Sequence, residues 1–358
     1  MMSTRTDLIL RKFYEHSIWS CRFCSSVSKE SGKSNQFFSS ANPGKLFFNN
    51  YVQRLLRSLT RVDEEKVFQT RKEGKRLKAP IIKFMTVEEL EQAKRKANRE
   101  MNLRLQMPPV IKMNDDEVKV LAEDHLLQGY SPSKYVFTDI SAGVTNKDRI
   151  IVVREPKGTL RFAKQSERGR INQSYFPIEG KEIDTPKMFY DPYLADLIER
   201  EEFNFILDRA CIQFDPDEPD YHRVTKQVYN VVNSKKKYDT LRSTRHFGPL
   251  VFHLTWEKQI DDLLTDVIQS GRLDEAVSLI KLYNVIHPTA NLAEFVEYDD
   301  DIKLIQNYAK YVSSKRHNIE HALSYYKKLQ EEKQELDNTI KAAHGKHVTE
   351  ENLQDKTE

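Results

Sequence analysis

Residues 149–163 read "RIIVVREPKGTLRFA", and this stretch decides the fold class. Its two halves are rich in β-branched and aromatic side chains, and Pro156-Lys157-Gly158 between them carries turn chemistry. The pattern predicts two antiparallel strands joined by a tight turn. Just upstream, "KYVFTDIS" (134–141) has the same composition and predicts a third strand, with "AGVTNKD" as the loop that follows it. Downstream, "SERGRINQSYFP" predicts a short helix that ends before Pro177.

The flanks read as helix. "TVEELEQAKRKANREMNLRLQ" opens at Thr86 with Glu89 three residues on, the spacing of a capping box, and Pro108-Pro109 close it. Asp191-Pro192 is a second start signal. Leu207, Ala210, Cys211 and Phe214 then recur at helical spacing, and Asp220 can cap the helix that follows the "DPDEPD" linker. "IDDLLTDVIQSGRLDEAVSLIKLYNVIHP" predicts a helical hairpin hinged at Gly271, with Leu273, Ala276, Val277, Ile280 and Tyr283 as one apolar stripe. Residues 301–312 and 318–343 predict two more helices. The expected fold is α+β: predominantly helical, with a small antiparallel β-sheet in the middle and a helical C-terminal domain.

The chain of 358 residues carries 57 basic against 54 acidic side chains, and no apolar run approaches a membrane span. The first sixty residues differ from the rest. Nine Lys/Arg stand there against three acids, among eleven serines. An Arg- and Ser-rich, acid-poor start predicts a mitochondrial transit peptide, removed near "QFFSSANPG". The remainder then has 48 basic and 51 acidic groups, so nucleic-acid contact must be local. The "CRFC" pair Cys21 and Cys24 has no second pair to complete a zinc site, and Cys211 stands alone.

Two basic clusters are candidates for RNA or protein contact: Arg71, Lys72, Lys75, Arg76 and Lys78, and Lys235, Lys236, Lys237, Arg242 and Arg245. The second lies in "KKKYDTLRSTRHFG". If the segment from Asp239 is helical, Arg242 and Arg245 share a face; the competing reading is the polar edge of a packed helix. His246 has no identifiable nucleophile or orienting acid in the sequence around it. "HNIEH" places His317 and His321 at zinc-ligand spacing with no evident third ligand. "SGKS" (31–34) lacks the first glycine of a phosphate loop, where Val27 stands. "SGRLDEA" resembles one unit of a helical repeat without a second copy. No cofactor, metal, small-molecule substrate or catalytic constellation is expected.

"KYVFTDIS", "IVVREPKGTLR" and "KYDTLRSTRHFG", in this order, resemble the mitochondrion-specific ribosomal protein family numbered twenty-two in the animal small subunit. "MPPV" (107–110), "LAED" (121–124) and "YFP" (175–177) fit as well, and the likeness runs from about residue 80 to 310. It implies a non-catalytic component of the mitochondrial small ribosomal subunit, supporting assembly and translation. The implied partners are neighbouring small-subunit proteins and local rRNA, with no membrane. A freestanding mitochondrial RNA-binding regulator is the alternative. The expected divisions are 1–60, transit peptide or disordered; 61–112, basic arm and helix; 113–180, small α+β domain; 181–343, helical domain; and 344–358, disordered tail. Replacing Arg242 and Arg245 with glutamate is expected to impair ribosome incorporation more than folding.

Overall fold

The computed structural model describes residues 42–68, 82–113, 118–288 and 300–354, with side chains to residue 342. The described chain falls into two units: residues 62–106, and residues 43–61 together with everything from Met107 onward.

In the first unit, α3 (Glu64–Phe68) and α4 (Val87–Arg104) are the helices. Thr86 and Glu89 form the expected capping box: the Glu89 N–H donates to Thr86 Oγ1 at 3.3 Å and the Thr86 N–H to Glu89 Oε2 at 3.0 Å. The Arg104 guanidinium lies 5.0 Å over the Phe68 ring and donates to the Val67 carbonyl. No residue of α4 is buried.

The second unit begins earlier than the sequence reading allows. α1 (Pro43–Phe47) and α2 (Asn50–Thr60) lie inside the span assigned to a transit peptide, yet they are core. Asn49 caps α2 by accepting the Tyr51 N–H, and Val52, Leu55, Leu56 and Leu59 form its buried stripe. That stripe has the i, i+3, i+4, i+7 spacing of a packed helix. The boundary at residue 60 is therefore corrected: residues 43–60 belong to the folded body, and the presequence reading concerns residues 1–41, which lie outside the described residues.

The sheet has four strands in the order β1-β4-β3-β2, all antiparallel. β2 (Tyr135–Thr138), β3 (Ile151–Arg154) and β4 (Thr159–Phe162) are those expected; β1 (Val120–Glu123) is an addition. Its sequence, "VLAE", has little strand character, and its pairing with β4 is non-local. Gly158 makes that pairing possible. With φ +87 it turns the β3–β4 hairpin, and a Cβ there would meet the Asp124 carbonyl oxygen at 2.0 Å. One face of the sheet packs Ile151, Val153 and Ala163 against Ile171 of α5 (Gln165–Tyr175).

The remaining helices form a body with one continuous core: α6 (Tyr193–Glu199), α7 (Phe203–Gln213), α8 (Pro219–Lys235), α9 (Phe247–Trp256), α10 (Asp261–Gln269), α11 (Leu273–Ile286), α12 (Asp301–Tyr311) and α13 (Arg316–Gln354). α2 packs on α9 and α11. The cap of α8 is Glu218 with Pro219 at the first helical position, rather than Asp220. Gly271, at φ +76, hinges α10 to α11 as expected. α13 starts where the buried Asp261 carboxylate accepts from the Tyr308 hydroxyl and from the N–H groups of Ser314 and Lys315. The backbone of α13 continues to Gln354, past residue 343, through a charged sequence with no proline. No helix among the described residues is long and apolar enough to cross a membrane.

Candidate contact surface

The second basic cluster divides at a helix end. α8 stops because Lys236 adopts a left-handed conformation, φ 54. The Lys237 N–H then reaches back to the Val232 carbonyl at 3.1 Å and the Lys236 N–H to that of Asn233 at 3.2 Å. This corner leaves Lys235, Lys236 and Lys237 exposed. Lys236 Nζ lies 3.5 Å from Asp262 and Lys237 Nζ 3.3 Å from Glu201, so both are loosely tethered at the surface.

The chain turns inward immediately after. Tyr238 is buried, with its hydroxyl donating to Asn233 Oδ1 at 2.6 Å. The segment from Asp239 does not form the helix that would give Arg242 and Arg245 a shared face. A short 3-10 turn (Tyr238–Thr240) is followed by Ser243 at φ 59, whose N–H donates to the Thr60 carbonyl. A left-handed residue at that point ends helical pairing, and the two arginines diverge to different elements.

Arg242 goes inside. Its side chain is only 6% exposed and stands 3.3 Å from Glu275 and from Asp239 and 3.4 Å from Asp266, with its guanidinium 4.8 Å over the Phe247 ring. Burial and the neighbouring Arg61 charge push its pKa down, while the three carboxylates oppose them. Glu275 is the hub. Its carboxylate accepts Arg61 Nε at 2.5 Å and Nη2 at 2.9 Å, Arg242 Nη1 at 3.3 Å and Arg272 Nη1 at 3.2 Å. One buried carboxylate thus joins the C-terminus of α2, the loop before α9 and the start of α11. Burial works to raise the Glu275 pKa, but its arginines outweigh that and hold the carboxyl ionised.

Arg245 goes to α7. Asp208 Oδ1 accepts from Arg245 Nε and Nη2 at 2.9 and 2.5 Å, and lies 2.9 Å from His246 Nε2. The structure thus supplies the orienting acid that the sequence around His246 did not reveal. Desolvation opposes ionisation of Asp208, yet the His246 hydrogen bond and the Arg245 charge hold its pKa down at about 2. Burial depresses the His246 pKa, so the ring is neutral at pH 7 and donates from Nε2. It is 1% exposed. Cys211, one turn along α7 from Asp208, is pushed up by burial and stays a thiol. Through Asp208, the enclosed imidazole and Arg245 fasten the α9 entrance to α7.

Of the other expected residues, Arg71, Lys72, Lys75, Arg76 and Lys78 lie outside the described residues. His317 and His321 line an open cleft of about 420 Å³ with Lys236, Asp262 and Asp266. The lysine ammoniums of Lys236 and Lys315 already stand on Asp262. Among the described residues no group of three or more ligating side chains is placed to hold a metal ion. Gly248 accounts for another shared block: a Cβ there would come within 2.0 Å of Met107 Sδ, so "MPPV" seats its methionine on the backbone of "RHFG".

A model of the family described as mitochondrial 28S ribosomal protein S22 matches residues 45–288. The chain belongs to this family. Small ribosomal subunit protein mS22 of Mus musculus is 39% identical over 285 residues, covering 79% of either chain. The protein of the same name from Bos taurus is 39% identical over 282 residues, covering 78% of either chain. The family match starts at residue 45, within α1, earlier than the shared blocks suggest. It takes in the first two helices of the body, the sheet and the α10–α11 hairpin. Glu275 and Asp208 both lie within the matched span.

Proposed function

We propose that this chain is a structural component of the mitochondrial small ribosomal subunit. It supports assembly and translation by touching neighbouring ribosomal proteins and local rRNA, and it performs no catalysis. The observation that carries this reading is membership of the S22 family across residues 45–288. Residues 1–41 act in it as the mitochondrial import segment. Within the body, Arg242 and Arg245 are engaged by internal carboxylates, which leaves Lys235, Lys236 and Lys237 as the cations of this cluster offered to a partner. The segment with Arg71, Lys72, Lys75, Arg76 and Lys78 supplies the second basic contact. A helical-repeat regulator draws no support from the body: after the α10–α11 hairpin, α12 and α13 differ from it in length and pack back on it.

The test is sedimentation of mitochondrial lysate through a density gradient, repeated after a moderate-salt wash. The chain is expected to stay with the small subunit in both runs. Lys235→Glu/Lys236→Glu/Lys237→Glu is expected to reduce that co-migration while leaving the melting temperature of the isolated chain unchanged. The Arg242→Glu/Arg245→Glu chain should instead fail at folding, because each change sets a carboxylate against the carboxylates that now bind arginine. Complete release of the wild-type chain at modest salt would refute the assignment.

A further inference from the structure

α13 carries an apolar stripe past the end of the core. Ile319, Ala322, Tyr326, Leu329, Lys333, Leu336 and Ile340 follow one another at alternating steps of three and four residues, the a/d spacing of a coiled-coil seam. The first part of this seam belongs to the body: Ile319, Ala322 and Leu323 are buried in its core, and Tyr326 packs against them. Beyond Leu323 no described residue of the helix is buried. Leu329, Leu336 and Ile340 are 38%, 60% and 46% exposed, and apart from Gln330 every side chain from Lys327 to Ala342 stands in solvent.

A helix end that stays in water needs no apolar side. Here the seam keeps its spacing for four more positions after Tyr326, the last that touches the core. The charges around those positions are sorted. The e and g sites that flank them hold Gln330, Glu332, Asp337 and Thr339, so both flanks are acidic and neither carries a cation. Lys333 stands in the seam itself. The other charges of the stretch, Lys327, Lys328, Glu331, Glu335 and Lys341, occupy the outer b, c and f sites.

We propose that the exposed seam of α13 docks an amphipathic helix of a second protein, one whose flanks carry lysine or arginine and which sets an acid against Lys333. The acidic flanks select against the other occupants. RNA would bring its phosphates to Glu332 and Asp337. A second copy of this chain laid parallel would set Lys333 against its own counterpart, and Glu332 of each copy against Asp337 of the other. Laid antiparallel over the same stretch, it would face Glu332 with Thr339 and Asp337 with Gln330 and gain no ion pair. A helix with basic flanks answers Glu332, Asp337 and Lys333 together while covering Leu329, Leu336 and Ile340. The chemistry of this partner follows from the seam; that it is a neighbour within the small subunit rests on the ribosomal reading.

The test puts the photo-crosslinking residue benzoylphenylalanine in place of Leu329 in the full chain expressed in mitochondria. The small-subunit fraction of a density gradient is irradiated, and the adducts are mapped by mass spectrometry. The expected product is one protein, joined within a segment of helical apolar spacing flanked by lysine or arginine. The same probe in place of Asn338, on the outer side of the helix, should give about tenfold less of it. With the probe kept at Leu329, Leu336→Asp/Ile340→Asp should lower the adduct by about tenfold or more for the same amount of chain, from the loss of two apolar contacts. Glu332→Lys/Asp337→Lys should lower it by about fivefold. All four residues are exposed, so the melting temperature of each isolated variant should match the wild type. An adduct with rRNA or with a second copy of this chain would overturn the proposal. So would a partner segment without basic flanks, an undiminished adduct in the Leu336→Asp/Ile340→Asp chain, or no adduct in a fraction that contains the chain. A chain absent from the small-subunit fraction would refute the ribosomal assignment instead, and irradiation of the whole lysate then decides the seam by the same mapped segment.

Discussion

The helical body and the sheet are stabilised in different ways. The body, formed by α1, α2 and α6 through α13, buries more than forty apolar side chains in one connected cluster, and its ion pairs link elements that the core has already brought together. The sheet buries three, Ile151, Val153 and Ala163, with Ile171 packed on them. Buried arginines make up much of the difference. Arg161 holds Glu155 and Glu167, and Arg149 donates to the carbonyls of Asp139, Ser141 and Val144 while lying 3.6 Å over the Phe176 ring. The body therefore rests on apolar burial, and the sheet on arginines that satisfy carboxylates and carbonyls around it.

The largest expected effect bears on the body. Glu275→Ala leaves Arg242 buried beside Arg61 with its main counter-charge removed. Breaking a buried pair in this way costs about 3–5 kcal/mol, which chemical denaturation of the full chain would register. A loss below about 1 kcal/mol, the range of exposed pairs, would mean that the apolar core alone holds α2, the loop before α9 and α11 in register.

The sheet should respond to acid. Hydrogen bonds from Arg161 draw the Glu167 pKa down to about 2 from an ordinary 4.5; burial opposes them, and the Lys164 N–H adds to the lowering. A depressed carboxylate contributes stability that is complete above the unfolded value, near 4.5, and is lost as pH falls toward 2. The group is 26% exposed, and allowing for solvent screening the contribution is about 1–2 kcal/mol. The amide protection factors of β3 and β4, taken relative to the intrinsic exchange rate at each pH, should therefore fall between pH 5 and about 2, ahead of those of the α9 and α11 amides. Glu167→Gln should flatten that dependence. Simultaneous loosening of both regions would dissolve the distinction between them.

Local chemistry was legible in the sequence, and long-range destination was not. The Thr86–Glu89 capping box, the Gly158 turn and the Gly271 hinge each lie within a few residues and formed as read. β1 went unread because "VLAE" becomes a strand only by pairing with β4. Arg242 and Arg245 were visible as charges, but the carboxylates that claim them are 33 and 37 residues away in Glu275 and Asp208. Nothing in "KYDTLRSTRHFG" distinguishes an arginine bound for the interior from one offered to RNA. α2 was hidden by its neighbours: its apolar stripe lies next to an acid-poor, Ser-rich leader, and composition averaged over sixty residues masked four buried side chains.

The smallest effect separates stability from contact at the lysine corner. Lys236 holds φ 54, a conformation that costs a residue with a Cβ roughly 1 kcal/mol and glycine almost nothing. Lys236→Gly relieves that strain and forfeits an exposed pair with Asp262, which contributes about 0–1 kcal/mol. The net change should be a gain of a few tenths of a kcal/mol, seen as a rise of about 1 °C in melting temperature. Strain kept at an exposed position is a reason to look for a role there. If the lysines of this corner meet a partner, Lys236→Gly should fold slightly better and enter the small subunit less well. A variant that gained stability and lost nothing in the gradient would reduce Lys236 to a helix stop, leaving Lys235 and Lys237 to carry the contact.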